Sequence, residues 1–146
     1  MNSNIRRLLL VVLSSTSICL GSCNSSKIKI NSSNANKYFR TTITEFPANY
    51  GNGNYFRFSY TTNISSRYRV DEAVSLFYQI SIKYSYYSYI GTSSSFSQTS
   101  ESVSIYPNHF SNSGSSAFYI NCKINDLINY SFSYSVISAR GTISKI

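Results

Sequence analysis

The stretch Ala73-Val-Ser-Leu-Phe-Tyr-Gln-Ile-Ser-Ile-Lys-Tyr-Ser-Tyr-Tyr-Ser-Tyr-Ile90 decides the fold class. Val74, Leu76, Tyr78, Ile80, Ile82, Tyr84 and Tyr86 recur at every second position, with Ser75, Phe77, Gln79, Ser81, Lys83 and Ser85 between them. A helix would gather apolar residues three and four apart; a strand sends successive side chains to opposite faces, and only the strand fits this pattern. At about 3.3 Å per residue the run outlasts an ordinary strand. Its phase slips at Tyr86-Tyr87, where a bulge, bend or change of sheet is expected.

The same period extends outward in both directions. Phe56, Phe58, Tyr60, Thr62 and Ile64 alternate with Tyr55, Arg57, Ser59 and Thr61. Near the C-terminus, Phe118, Ile120, Cys122 and Ile124 share one face. Ile128, Tyr130, Phe132, Tyr134 and Val136 then alternate with Asn129, Ser131, Ser133 and Ser135. Asn125-Asp126 between these two runs predicts a β-hairpin. Shorter strands are expected over 41–46, 103–106 and 142–146. Turn signals fall at 47–53, 91–95, 107–109 and 111–116, where Pro, Gly, Asn and Ser gather.

Seven or eight strands with one apolar face each, and no segment of helical period, predict an all-β antiparallel sandwich of immunoglobulin-like or jelly-roll-like type. The immunoglobulin pairing of two Cys around a Trp is absent, so that likeness is one of architecture only. A membrane β-barrel also alternates, but the uneven strand lengths disfavour it. The expected core comprises Phe56, Phe58, Leu76, Tyr78, Ile80, Ile82, Phe118, Ile120, Phe132 and Tyr134.

At the other end, Arg6 and Arg7 precede the uncharged apolar run Leu8–Leu20. This is the order of a secretory signal, and the run is shorter than the roughly 20 residues a spanning helix needs. It closes in Leu20-Gly21-Ser22-Cys23, which resembles the lipobox of bacterial lipoproteins: Leu three places before a Cys, with two small residues between. The resemblance covers residues 1–23 alone. It implies that 1–22 is a removable signal peptide and that Cys23 becomes the mature N-terminus. It also implies that the Cys23 thiol is alkylated by diacylglycerol, that cleavage frees its amino group, and that acyl chains such as palmitate hold the protein to a membrane. Each buried methylene contributes about 0.8 kcal/mol, so two or three chains anchor stably where one does not. The alternative is an ordinary cleaved signal and a secreted adhesin or glycan-binding protein without lipid, in which Cys23 and Cys122 could form a disulfide. Residues 23–37, polar apart from Ile28 and Ile30, read as a tether with one short strand, and 38–146 as the domain.

Composition excludes more than it identifies. Fourteen Tyr and nine Phe accompany no Trp and five carboxylates, a balance that an A+T-rich genome favours and that is not that of a disordered chain. Net charge is +8, or +6 once Arg6 and Arg7 leave with the signal, and it is spread along the chain rather than gathered. Four Asn-x-Ser sequons, at Asn24, Asn31, Asn63 and Asn129, are what chance gives in so Asn- and Ser-rich a chain. One His, His109, cannot assemble a metal site alone, and Asp71-Glu72, neighbours in one strand, point to opposite faces. Neither a nucleophile elbow nor a phosphate-cradling glycine loop occurs. These features predict no enzyme, no metal and no cofactor. Cys122, in phase with Phe118 and Ile120, reads as a small buried hydrophobe.

What remains is binding. Segments rich in Tyr, Ser, Asn and Gly resemble antibody contact loops, where rigid aromatics are set among adaptable polar groups. Tyr84, Tyr87 and Tyr89, with the one modest basic cluster of Arg57, Arg67 and Arg69, form the expected binding surface. The expected role is a non-catalytic binding or structural lipoprotein of the cell envelope, facing outside the cytoplasm. Its expected partners are a membrane, through lipid on Cys23, and another protein or a glycan rather than nucleic acid.

Overall fold

A computed structural model describes residues 26–46 and 54–146. The signal, the lipobox, Cys23 and the turn at 47–53 lie outside the described residues. Among the described residues, seven strands run in the order β1 (Ile28–Lys29), β2 (Phe39–Glu45), β3 (Tyr55–Ile64), β4 (Tyr68–Ser88), β5 (Gly91–Ile105), β6 (Ser111–Tyr119) and β7 (Leu127–Lys145), with one α-helical turn, α1 (Ala35–Tyr38), before β2. They form two antiparallel sheets, β1-β7-β4-β5 and β2-β3-β6. The fold is the all-β sandwich that the period-two pattern predicts.

β4 is the spine. From Val74 to Tyr84 every second residue is buried, and the strand pairs with β5 on one side and β7 on the other. Its register against β7 shifts at several points, the last between Ser85 and Tyr86, one step before Tyr86-Tyr87, where the sequence loses phase. Phe56, Phe58, Tyr60, Thr62 and Ile64 of β3 face it across the core. Phe58 stacks on Phe118 with ring centroids 4.4 Å apart, and Phe132 of β7 meets both from the opposite sheet. Eight of the ten expected core residues are buried; Phe132 and Tyr134 are half-buried against that core. Hydroxyls that enter this interior satisfy one another. Thr41 Oγ1 donates to Tyr78 Oη at 2.8 Å, and Thr62 Oγ1 lies 2.8 Å from the same oxygen and 2.9 Å from Thr41, clasping the two sheets together.

Three sequence expectations are corrected. No hairpin turns at Asn125-Asp126, because β6 pairs with β3 while β7 pairs with β4; residues 120–126 instead cross from one sheet to the other. The inward alternation outlives β6, so Ile120 and Cys122 are buried in the crossing segment, which ends in a 3-10 turn at Ile124–Asp126. Segments 91–95 and 111–116, expected as turns from their Ser and Gly content, are strand. Partner strands supply their ladders, and small polar side chains suit a solvated sheet face. Finally, the segment from Ile28 to Lys37 is not a free tether. Ile28 and Lys29 pair with Ile143 and Thr142, Asn31 Oδ1 accepts from the backbone N–H of Ser33 and Asn34 to start the turn into α1, and Ala35 and Tyr38 are buried.

Candidate functional site

The β4–β5 hairpin carries the most exposed apolar side chains toward one end of the sandwich. β7 stops pairing with β4 at Tyr86, so the arm projects past its neighbour and closes through Tyr89-Ile90, with Ser88 opposite Gly91. Gly91 adopts φ +111°, a conformation that other residues rarely take, which lets so short a turn close. Tyr89 and Ile90 are fully exposed, at 110% and 92%, and Tyr87 is largely so. Behind the tip, on the outer face of the four-stranded sheet, lies an open groove of about 630 Å³. Strand alternation turns the side chains of Lys83, Ser85, Ser94, Phe96, Asn129 and Ser131 onto that face, leaving the backbones of Tyr84, Ser95 and Tyr130 as the floor. Lys83 sits between Phe96 and Ser131 across the strands, and Ser85 between Ser94 and Asn129. The Phe96 ring is 65% exposed.

Opposite this end lies the one where the described chain begins. Ile28 pairs with Ile143, which pairs with Val70, and from Val70 to Tyr89 the spine runs about 60 Å at 3.3 Å per residue. The tyrosine tip and the N-terminal strand therefore occupy opposite poles.

The residues expected to form one binding surface are divided by this geometry. Tyr87 and Tyr89 are at the tip. Tyr84 is buried, its Oη accepting the backbone N–H of Asn121 at 2.8 Å and so fixing the crossing segment. Arg57 lies on the outer face of the three-stranded sheet, while Arg67 and Arg69 lie at the N-terminal pole. Arg69 Nε donates to Ser144 Oγ at 3.1 Å and lies 3.5 Å from Asp71 Oδ1. The chain changes sheets between Ile64 and Tyr68, so residues near in sequence separate: Arg57 is seven positions back along β3, about 23 Å from that crossover.

Elsewhere, chemistry is sparse. Among the described residues no group of three His, Cys, Asp or Glu side chains converges. His109 is exposed in the turn where Asn108 takes φ 67°. Cys122 is buried, and burial, aided by the Asp126 charge, pushes its thiol pKa up. Tyr60 Oη donates to the Ser102 carbonyl at 3.0 Å with Glu101 Oε2 at 3.3 Å; burial, then the Glu101 charge, raise its pKa to about 12. That contact and the 2.6 Å bond from Asn112 Nδ2 to the Ser104 carbonyl tie β5 to the other sheet.

Lys83, Phe96 and Asn129 line the groove without having been expected there from the sequence. The signal for Phe96 was the alternation in Gly91–Ile105, readable only once the two-residue turn sets the register that puts it beside Lys83. The chain matches no protein-family model and no curated protein sequence.

Proposed function

We propose that this protein is a lipid-anchored lipoprotein of the cell envelope that binds a partner outside the cytoplasm, without catalysis, through the tyrosine-tipped pole. The observation that carries the proposal is the opposition of the two poles. A lipid on Cys23 would be five positions from Ile28, a leash of about 17 Å at full stretch, so the β1 pole is kept at the membrane and the tip is offered away from it. Exposed Tyr87, Tyr89 and Ile90 are rigid contact groups, and the groove beside them is lined by hydroxyls, an amide, one ammonium and one aromatic ring. That set suits recognition better than bond-making.

Metabolic labelling with a radioactive fatty acid tests the anchor. Wild-type protein is expected to take up label and partition with membranes, and Cys23→Ala to do neither. Equal labelling of the two would overturn the anchored reading.

A further inference from the structure

We propose that the groove behind the tip is a subsite for a glycan bearing a carboxylate-carrying sugar. The proposal deepens the binding role given above and rests on the distal pole being the binding end.

Its floor is built from three adjacent strands. Two rows of side chains cross it, Ser131-Lys83-Phe96 and Asn129-Ser85-Ser94. Strands about 4.8 Å apart and rows about 6.6 Å apart give a patch of roughly 10 by 7 Å, the footprint of one or two pyranose rings. The groove volume of about 630 Å³ accommodates a short oligosaccharide. Serine hydroxyls and the Asn129 amide both donate and accept, which matches sugar hydroxyls of either sense. The Ser85 and Ser94 hydroxyls are 3.5 Å apart, so they are only weakly committed to each other. The exposed Phe96 ring offers an apolar surface for the C–H face of a sugar.

Charge selects the acidic class. Between Glu72 and Glu101 the chain carries a single charged residue, Lys83, and β7 carries none from Leu127 to Ala139. Lys83 has three donors and no acceptor, and no carboxylate lines the groove to repel an anion or take up a neutral sugar's donors. An anionic sugar is drawn to this face; a neutral one gains only the hydroxyl and ring contacts.

The test uses the purified full chain on an array of sialylated, uronate-containing and matched neutral oligosaccharides, followed by titration of the best acidic ligand. Binding to carboxylate-bearing glycans above their neutral counterparts is expected. Phe96→Ala should weaken it about tenfold, the scale of one aromatic contact. Lys83→Met should weaken it about three- to fivefold and abolish the preference for acid, the scale of an exposed ion pair. Both side chains are exposed, and unchanged circular dichroism verifies that the variants fold. Absence of binding to every glycan, a preference for neutral ones, or binding unchanged in both variants overturns the proposal. Binding lost in Tyr89→Ser yet unchanged in Phe96→Ala overturns the groove while retaining the distal pole, and fatty-acid labelling reports on the anchor separately.

Discussion

Gly114→Ala should destabilise the protein, although Gly114 stands in a run, Ser111–Ser116, that has the composition of a loop. Were it a loop, or an open strand position, the substitution would stabilise by about 0.4–1 kcal/mol by restricting the unfolded chain. In the structure Gly114 pairs with Tyr60, whose ring lies across it. A Cβ there would fall well inside contact distance of Tyr60 Oη and Cζ, and 2.8 Å from Cε2. The ring cannot simply swing away, because Tyr60 is 4% exposed and its hydroxyl is bonded to Ser102. Overpacking of about 1–3 kcal/mol and loss of a hydrogen bond of about 1 kcal/mol outweigh the glycine gain, leaving a net loss of about 2 kcal/mol. In urea, with a slope of about 2 kcal/mol/M, the unfolding midpoint should fall by about 1 M. In a Tyr60→Ala background the same substitution should be neutral or stabilising, since the clash is gone. A midpoint unchanged or raised in the wild-type background, or equal losses in both, would refute this packing.

Phe58→Ala, removing a fully buried ring stacked on Phe118, should cost about 3–5 kcal/mol in the same denaturation assay. Because Tyr60 titrates near 12 in the fold but near 10 when unfolded, its contribution is complete below pH 10 and falls away as pH rises from 10 to about 12; Tyr78, raised by burial, acts in the same direction. Thermal melts from pH 9 to 12 should show that decline, shallower in Tyr60→Phe. Native Cys122 should resist alkylation by iodoacetamide at pH 8 and react promptly in urea, since its thiol is buried and its thiolate disfavoured; fast labelling of the folded protein would contradict its place in the core.

The sheet faces were readable from the sequence where a bulky residue recurs at every second position, as in β3 and β4. A solvated face then alternates with a buried one, and burial follows directly. Of β5 and β6 only the ends, 103–105 and 118–119, were legible, because Ser dominates the rest of both, so composition signalled turns while the partner strands imposed a ladder. The false hairpin at Asn125-Asp126 has the same origin. Alternation reports which side is inward and carries no information on which sheet a strand joins, and Ile120 and Cys122 stay inward while the chain changes sheets. Of the tyrosines singled out by their Tyr- and Ser-rich surroundings, Tyr87 and Tyr89 are exposed. Tyr84, three residues before Tyr87 and in phase with buried Ile80 and Ile82, was misjudged because the sequence does not show the crossing segment whose Asn121 it holds. The arginines were grouped by sequence nearness that a change of sheet undoes.

In the proposed arrangement the domain is held at its β1 pole and offers the tyrosine tip away from the membrane. Fluorophores attached at Ile146→Cys and at Tyr89→Cys, in lipoprotein bound to vesicles whose headgroups carry a nitroxide quencher, measure this directly. Ile146 is bonded to Arg67, three residues from the strand position that pairs with β1, and Tyr89 lies about 60 Å along the spine from it. Strong quenching at 146 with none at 89 is predicted, and both labels should stay unquenched in a Cys23→Ala background. Quenching at 89 equal to or greater than that at 146, or wild-type protein that does not associate with vesicles, would contradict this orientation.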